Sequence, residues 1–383
     1  MRALALIALL VGCSATNAGA SPQPTAAVAV PSATGGTSAL PTFASTPSAT
    51  AALSAVTTLA DGTRIIRVPD CHPRNVGIYM IECEVLGIAG DSGVAAVALR
   101  RAVNGAYVFE SRAIDLSTGA MFTLRAPGSA SVSVDDVRDD AVLLTEGAEA
   151  GPGRQHVRLL RVPWRNAARA ELLDEFDLEG LGGGDSWNPR PSAKTNGKDV
   201  AWLRPVEQGR FAIMLQRSDG SREMIYRTTG PVWFDLDDAG RIAIVASSTI
   251  APTRAQQLVL YSGSLSTLGT RPAAEGGIVM SFPDQIGWAH GYGSVAPARD
   301  VELISVGGVT IRTLTPPAGC AFNGRTAKQV LFNCGTTTQL LDTTTLATRT
   351  LASNVVIPSK RIVFFREQSD FGADPEIWRA TLP

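Results

Sequence analysis

At 383 residues, 45% hydrophobic and 18% charged, the chain can build a sizeable core, and global disorder is excluded. A net charge of −1 excludes the clear basic excess of a nucleic-acid binder. Length alone would read as two or three domains, but repeat folds grow by adding units and escape that prior. Lys occurs only at Lys194, Lys198, Lys328 and Lys360, so the basic residues are nearly all Arg. With so much Ala and Gly, this reads as codon bias rather than a functional patch.

Residues 1–12 read as a signal peptide. Arg2 supplies a one-charge start, Ala3 to Leu10 a short apolar run, and Leu10-Val11-Gly12-Cys13 has the form of a bacterial lipobox. Cys13 is then the expected lipidation site and new N-terminus. An ordinary secretory signal cut near Ala18-Gly19-Ala20 is the alternative. The apolar run is shorter than the roughly 20 residues that span a bilayer, so lipid is the expected anchor.

Residues 13–56 are Ala, Ser, Thr and Pro with almost no charge, and Phe43 is their one aromatic. Such a segment buries too little apolar surface to offset its ordering entropy. Pro22, Pro24, Pro31, Pro41 and Pro47 keep it extended. It reads as a flexible tether holding a folded domain, residues 57–383, away from a membrane.

Setting Cys13 aside leaves Cys71, Cys83, Cys320 and Cys334, an even number in an exported chain. Three pairings are possible. The local one, Cys71 with Cys83 and Cys320 with Cys334, is expected, and the second bridge would join neighbouring strands of one sheet. The spacings are far from a C-x₂-C zinc pattern.

The folded part repeats a unit seen clearly from Trp187 to Thr229, four short strands joined by tight turns. The second strand of the unit recurs at Val94–Leu99, Ala141–Thr145, Asp199–Leu203, Arg241–Ala246, Gln285–Ala289, Lys328–Phe332 and Arg361–Phe365. Most neighbours are about 40–50 residues apart, the blade period of a propeller. Polar turns such as Gly90-Asp91-Ser92-Gly93, Thr195-Asn196-Gly197 and Asp237-Asp238-Ala239-Gly240 precede several of them. Arg241 to Ala246 and Arg361 to Phe365 are apolar on both faces, as a sheet sandwiched between two others requires. Arg222 to Arg227 is mixed, as an outer strand should be.

About seven units are expected, starting near Val76, Ala130, Trp187, Pro231, Gly277, Ala318 and Asn354. The last lacks a fourth strand, and a spare strand stands at Asp61 to Val68. Reading Ile377-Trp378-Arg379-Ala380-Thr381 into Asp61-Gly62-Thr63-Arg64 reproduces a third-to-fourth strand join. The expected fold is therefore an all-β single propeller of about seven four-stranded blades, with six or eight also possible, closed by pairing the N- and C-terminal strands. Two β-sandwiches are the architectural alternative.

These Asp-Gly-like turns around strands such as Arg241-Ile242-Ala243-Ile244-Val245 resemble the repeats of TolB-type and WD40-like propellers, over most of residues 57–383. The resemblance implies the fold, an extracytoplasmic setting and a protein-binding role. The small α/β domain that precedes the propeller in TolB has no counterpart here; the tether takes its place.

Chemistry is sparse. His72, His156 and His290 form no H-E-x-x-H pair, and each reads as a loop or packing residue. Gly90-Asp91-Ser92-Gly93 reads as a turn rather than a protease nucleophile segment. Gly291-Tyr292-Gly293-Ser294 is out of order for G-x-S-x-G. Asp235, Asp237 and Asp238 lack the full calcium-loop spacing, and Asp135, Asp136, Asp139 and Asp140 suit a solvated turn. Gly180 to Gly184 reads as a crossing between units.

Trp187 and Trp233 stand near unit starts and are candidate binding anchors at the channel opening, with wedging between blades as the alternative. The reading is a membrane-tethered extracytoplasmic lipoprotein, monomeric, with no catalytic residue, cofactor or metal. It would bind a protein or envelope component. A glycan-acting hydrolase or lyase at the channel mouth and a small-ligand or metal sensor are the rivals.

Overall fold

The computed structural model describes residues 57–58, 64–68, 71, 75–77, 80–91, 93–179, 192–207, 210–230, 232–247, 255–272, 277–290, 300–326, 328–335, 337–351, 357–358, 363–366 and 376–379. Cys13, His72, Gly180 to Gly184, Trp187 and Gly291 to Ser294 lie outside them, as does the side chain of His290.

Six four-stranded antiparallel sheets follow one another along the chain. Blade 1 is Cys83–Asp91, Val94–Val103, Ala106–Asp115 and Met121–Gly128. Blade 2 is Ser131–Arg138, Ala141–Gly151, Arg154–Pro163 and Glu171–Glu179. Blade 3 is Ala193–Thr195, Val200–Glu207, Arg210–Gln216 and Arg222–Thr228. Blade 4 is Val232–Leu236, Ile242–Ser247, Ala255–Tyr261 and Leu265–Pro272. Blade 5 is Gly277–Ser281, Gln285–His290, Val301–Ser305 and Thr310–Leu314. Blade 6 is Ala321–Arg325, Gln329–Cys334, Thr337–Asp342 and Thr348–Leu351.

A further sheet of five strands joins the two ends of the chain. Its order is Ile357–Pro358, Val363–Arg366, Glu376–Arg379, Arg64–Arg67, Thr57–Thr58. Arg64 lies opposite Arg379 and Ile65 opposite Trp378, the end-to-end join that the terminal sequences predict. The first strand of this sheet touches the first strands of blades 6 and 1, which closes the ring. Radial closure of this kind leaves only short, protected sheet edges.

The second strands show why blades need no wet face. In blade 4, Ile242, Ile244 and Ala246 pack on blade 3, while Ala243 and Val245 pack on blade 5. In blade 1, Ala96 and Ala98 face blade 2, and Ala95, Val97 and Leu99 face the other way with Val68, Cys71 and Cys83. Alternation by two therefore distributes side chains between two wedges. Each fully buried Val, Ile or Leu contributes about 1.5–3 kcal/mol.

Third and fourth strands slip register at Ser111/Arg112, Leu159/Leu160, Ile213/Met214, Leu258/Val259 and Leu303/Ile304 in blades 1 to 5. A bulge at the same place in these five blades adds twist where the outer strand must fan away from the axis.

Two expectations are corrected. The first unit starts at Cys83, not near Val76. The residues Asn75–Gly77 and Met80–Ile81 pair with each other as a separate two-stranded sheet, within the loop that the Cys71–Cys83 bridge closes. Asp135 and Asp136 belong to the first strand of blade 2 rather than to a turn, because Ser131-Val132-Ser133-Val134 already alternates as a strand and continues through them.

Both bridges pair locally, with Cα–Cα distances of 5.1 Å for Cys71–Cys83 and 4.1 Å for Cys320–Cys334. Cys334 ends the second strand of blade 6, and Cys320 immediately precedes its first. The second bridge is the rung beyond the pair Ala321 and Asn333.

Candidate functional site

A meander gives the ring two unlike ends. Turns between first and second strands share one end with turns between third and fourth. Turns between second and third strands share the other end with the links from blade to blade.

At the first end the turns are stitched together. Asp139 N–H donates to the Asp91 carboxylate at 2.9 Å. Arg161 donates to the carbonyl of Gly197 at 3.2 Å, Asn196 Nδ2 to the carbonyl of Asp237 at 3.1 Å, and Arg241 to the carbonyl of Pro283 at 2.6 Å. These bonds step from blade 1 to blade 5. Arg138 reaches past blade 3 to Asp238 on blade 4 at 2.8 Å.

Beneath this belt, aspartates on inner strands bridge blades. Asp136 accepts from the Thr195 backbone at 2.9 Å, and Asp235 accepts from the Ser281 backbone at 2.8 Å. Asp235 also pairs with Arg325 of blade 6. Asp235 is thus a buried strand residue, while Asp237 and Asp238 form the turn. Asp237 accepts from the backbones of Ala239 and Arg241 at 2.9 and 2.8 Å.

Asp135 sits on the same inner strand, hydrogen-bonded by the Thr145 and Ser133 hydroxyls. Burial pushes its carboxyl up to about 7. The Thr145 hydroxyl and Lys194 oppose that shift, and the charge of Asp136 adds to it.

At the other end, blade 2 carries a ladder of charges. Glu146, Arg158 and Glu175 stand opposite one another on its second, third and fourth strands, and His156 stands opposite Asp177 one row further out. Arg125, near the end of blade 1, donates to Glu146 at 2.6 Å. Arg158 lies 3.6 Å from Glu146 and 3.9 Å from Glu175. His156 approaches Glu175 through Nε2 at 3.1 Å and Asp177 through Nδ1 at 2.9 Å, and Arg154 reaches Asp177 at 3.2 Å.

Exposure rises along the ladder. The Glu146 side chain is 6% exposed, His156 36%, Asp177 44% and Arg154 50%. The inner members hold blades 1 and 2 together, and the outer ones are accessible. The His156 hydrogen bond, with Arg154 nearby, holds Asp177 below the ordinary carboxylate range.

His156 is a strand residue rather than a loop residue, because only Pro152 and Gly153 separate the second and third strands. The ladder was legible as complementary strings. Arg154-Gln155-His156-Val157-Arg158 is basic at alternate positions, and Glu171 to Glu179 is acidic along its length.

Other wedges repeat the device. Trp202 Nε1 of blade 3 donates to Asp174 of blade 2 at 2.6 Å, with Arg204 at 3.5 Å. Tyr261 of blade 4 donates to Glu223 of blade 3 at 2.8 Å. Arg271 of blade 4 donates to both oxygens of Glu302 of blade 5 at 2.9 Å.

Trp233 lies on the first strand of blade 4, half-buried against the wedge between blades 4 and 5. Among the described residues, no group of three or more His, Cys, Asp or Glu side chains is placed to hold a metal ion. No helix among them is long and apolar enough to cross a membrane.

No protein-family model matches the chain, and no curated protein does. Solved structures do match. The β-propeller domain of the Trilobed protease from Pyrococcus furiosus has a TM-score of 0.55 at 8% identity, covering 78% of this chain and 95% of that one. An oligogalacturonate lyase in complex with manganese has a TM-score of 0.50 at 12% identity, covering 85% and 95%. TolB from Acinetobacter baumannii is also similar at 11% identity, covering 75% and 80%, but its TM-score of 0.39 is too low to build on. At such identities the likeness shows the fold, and the fold is a β-propeller.

Proposed function

We propose that this protein is an extracytoplasmic propeller, tethered through lipid on Cys13, that binds a protein or envelope component at the end carrying the blade 2 ladder. The contrast between the ends carries this reading. One end spends its polar groups on neighbouring turns. The other leaves Arg154, His156, Glu175 and Asp177 half-exposed and already paired, able to exchange partners with an incoming charged surface. The two disulfides fit an oxidising compartment. Trp187, which falls between blades 2 and 3 in the sequence, is proposed as an aromatic anchor, whereas Trp233 packs against the wedge between blades 4 and 5 and is not needed for this reading.

The test is capture from the native membrane fraction with the wild type and with Arg154→Glu/His156→Ala/Asp177→Lys. Species enriched by the wild type and lost with the folded triple variant support the reading. Equal recovery by both, or nothing above background, sinks it. Intact mass from that fraction tests the anchor: acylated Cys13 as N-terminus supports it, and unmodified Met1 overturns it.

A glycan-acting enzyme is the second reading, supported by a fold shared with a lyase along nearly all of that protein's length. Release of unsaturated or reducing ends from acidic polysaccharides would favour it over binding alone.

A further inference from the structure

The two disulfides occupy opposite environments. Cys71 and Cys83 are each 0% exposed, set into the apolar cluster on the face of blade 1 turned away from blade 2, with Val97, Leu99 and Leu116. Cys320 and Cys334 are only partly buried, at the edge of the cluster shared by blades 5 and 6. Thiol–disulfide exchange needs a thiolate to reach a sulfur, so access governs which bridge reacts in the folded state.

Position adds to exposure. The Cys320–Cys334 bridge lies at the ladder end of the ring, beyond the last backbone pair of two strands. Cys320 closes a turn through the Pro317 carbonyl, at the start of the blade's inner strand. Beside the bridge, the Asn333 side-chain oxygen is buried and has no hydrogen-bond partner among the described residues. An unsatisfied buried acceptor favours local opening, which would bring it to water. The bridge opposes that opening.

We propose that Cys320–Cys334 is a redox-responsive clamp on the mouth of blade 6, opened in the folded protein by a dithiol reductant, while Cys71–Cys83 stays closed. A thiolate of the dithiol attacks one sulfur of the bridge. A mixed disulfide forms, and the other cysteine leaves as a thiolate that takes a proton from water. The second thiol of the reductant then displaces the remaining cysteine. Two electrons pass from the dithiol, which ends as its own disulfide, and Cys320 and Cys334 end as thiols. Blade 6 keeps its ladder from Ala321 inward, so the ring stays closed while its mouth loosens.

The experiment exposes the folded full chain to graded dithiothreitol, quenches with an alkylating agent and locates the label by peptide mass spectrometry. Hydrogen exchange is recorded alongside. Labelling of Cys320 and Cys334 at least about ten-fold faster than of Cys71 and Cys83 is expected, with faster exchange confined to the segment around 315–336. Either of two labelling results would overturn the proposal: equal labelling rates for both bridges, or no labelling of Cys320 and Cys334 until the sheet signal in circular dichroism is lost. Selective labelling with unchanged exchange around 315–336 also overturns it, since the bridge would then clamp nothing.

Discussion

The stitched end and the ladder end of the ring are built from the same residue types and differ in what those residues face. Asp235 and Asp136 are buried and answer to backbone amides of the next blade, so the neighbouring strand fixes their geometry. Asp177 and Glu175 are half-exposed and answer to side chains on their own sheet. Buried, hydrogen-bonded carboxylates specify how blades sit together, whereas half-exposed pairs add little stability and remain available. Rigidity at one end and accessibility at the other follow from burial, not from composition.

Removing a buried partner should break the stitched end most. Asp235→Ala leaves Arg325 without its buried counter-charge and the Ser281 amide without its acceptor. A loss of about 3–5 kcal/mol in denaturant unfolding is expected. A loss below about 1 kcal/mol would mean the stitches are incidental.

Gly197→Ala tests the same end through the backbone. Gly197 has φ +93°, and an added Cβ would lie 2.5 Å from the Asp139 carboxylate. The combined strain should cost roughly 1–3 kcal/mol by the same measurement.

Asp135 sharpens the comparison through pH. Its folded carboxyl is raised from 3.8 to about 7, so the folded state holds a proton that the unfolded state releases. The resulting stability is fully present below about pH 4 and is lost as pH rises through about 7. Asp135→Asn should therefore flatten the dependence of stability on pH between about 4 and 7, by on the order of 2 kcal/mol once partial exposure is allowed for. An unchanged pH profile in the variant would exclude Asp135 as its source.

The smallest effect on stability belongs to the ladder end. His156→Ala should leave the thermal midpoint close to that of the wild type, because its two partners are half-exposed. A large drop in midpoint would make the ladder a structural element like the stitches.

Architecture was written in the chain because a blade is local. The second strands of the six blades, and Val363–Arg366 of the closing sheet, fall within a few residues of the runs at Val94, Ala141, Asp199, Arg241, Gln285, Lys328 and Arg361. Period-two apolar runs and polar turns need only neighbours in sequence. Even ring closure was legible, since one end lacked a strand and the other had one to spare. The local cysteine pairing followed for the same reason.

Tertiary structure alone decided which polar residues meet. Asp235 and Arg325 are 90 residues apart, and Arg138 and Asp238 are 100 apart. No local pattern marks such pairs, because they arise from the angle at which successive blades fan around the axis. The same fanning turned Asp135 from an apparent turn residue into a half-buried acid on an inner strand, and set one disulfide in the core and the other at the mouth. Sequence determines a strand and its two faces; burial, charge pairing and access depend on what the ring brings against each face.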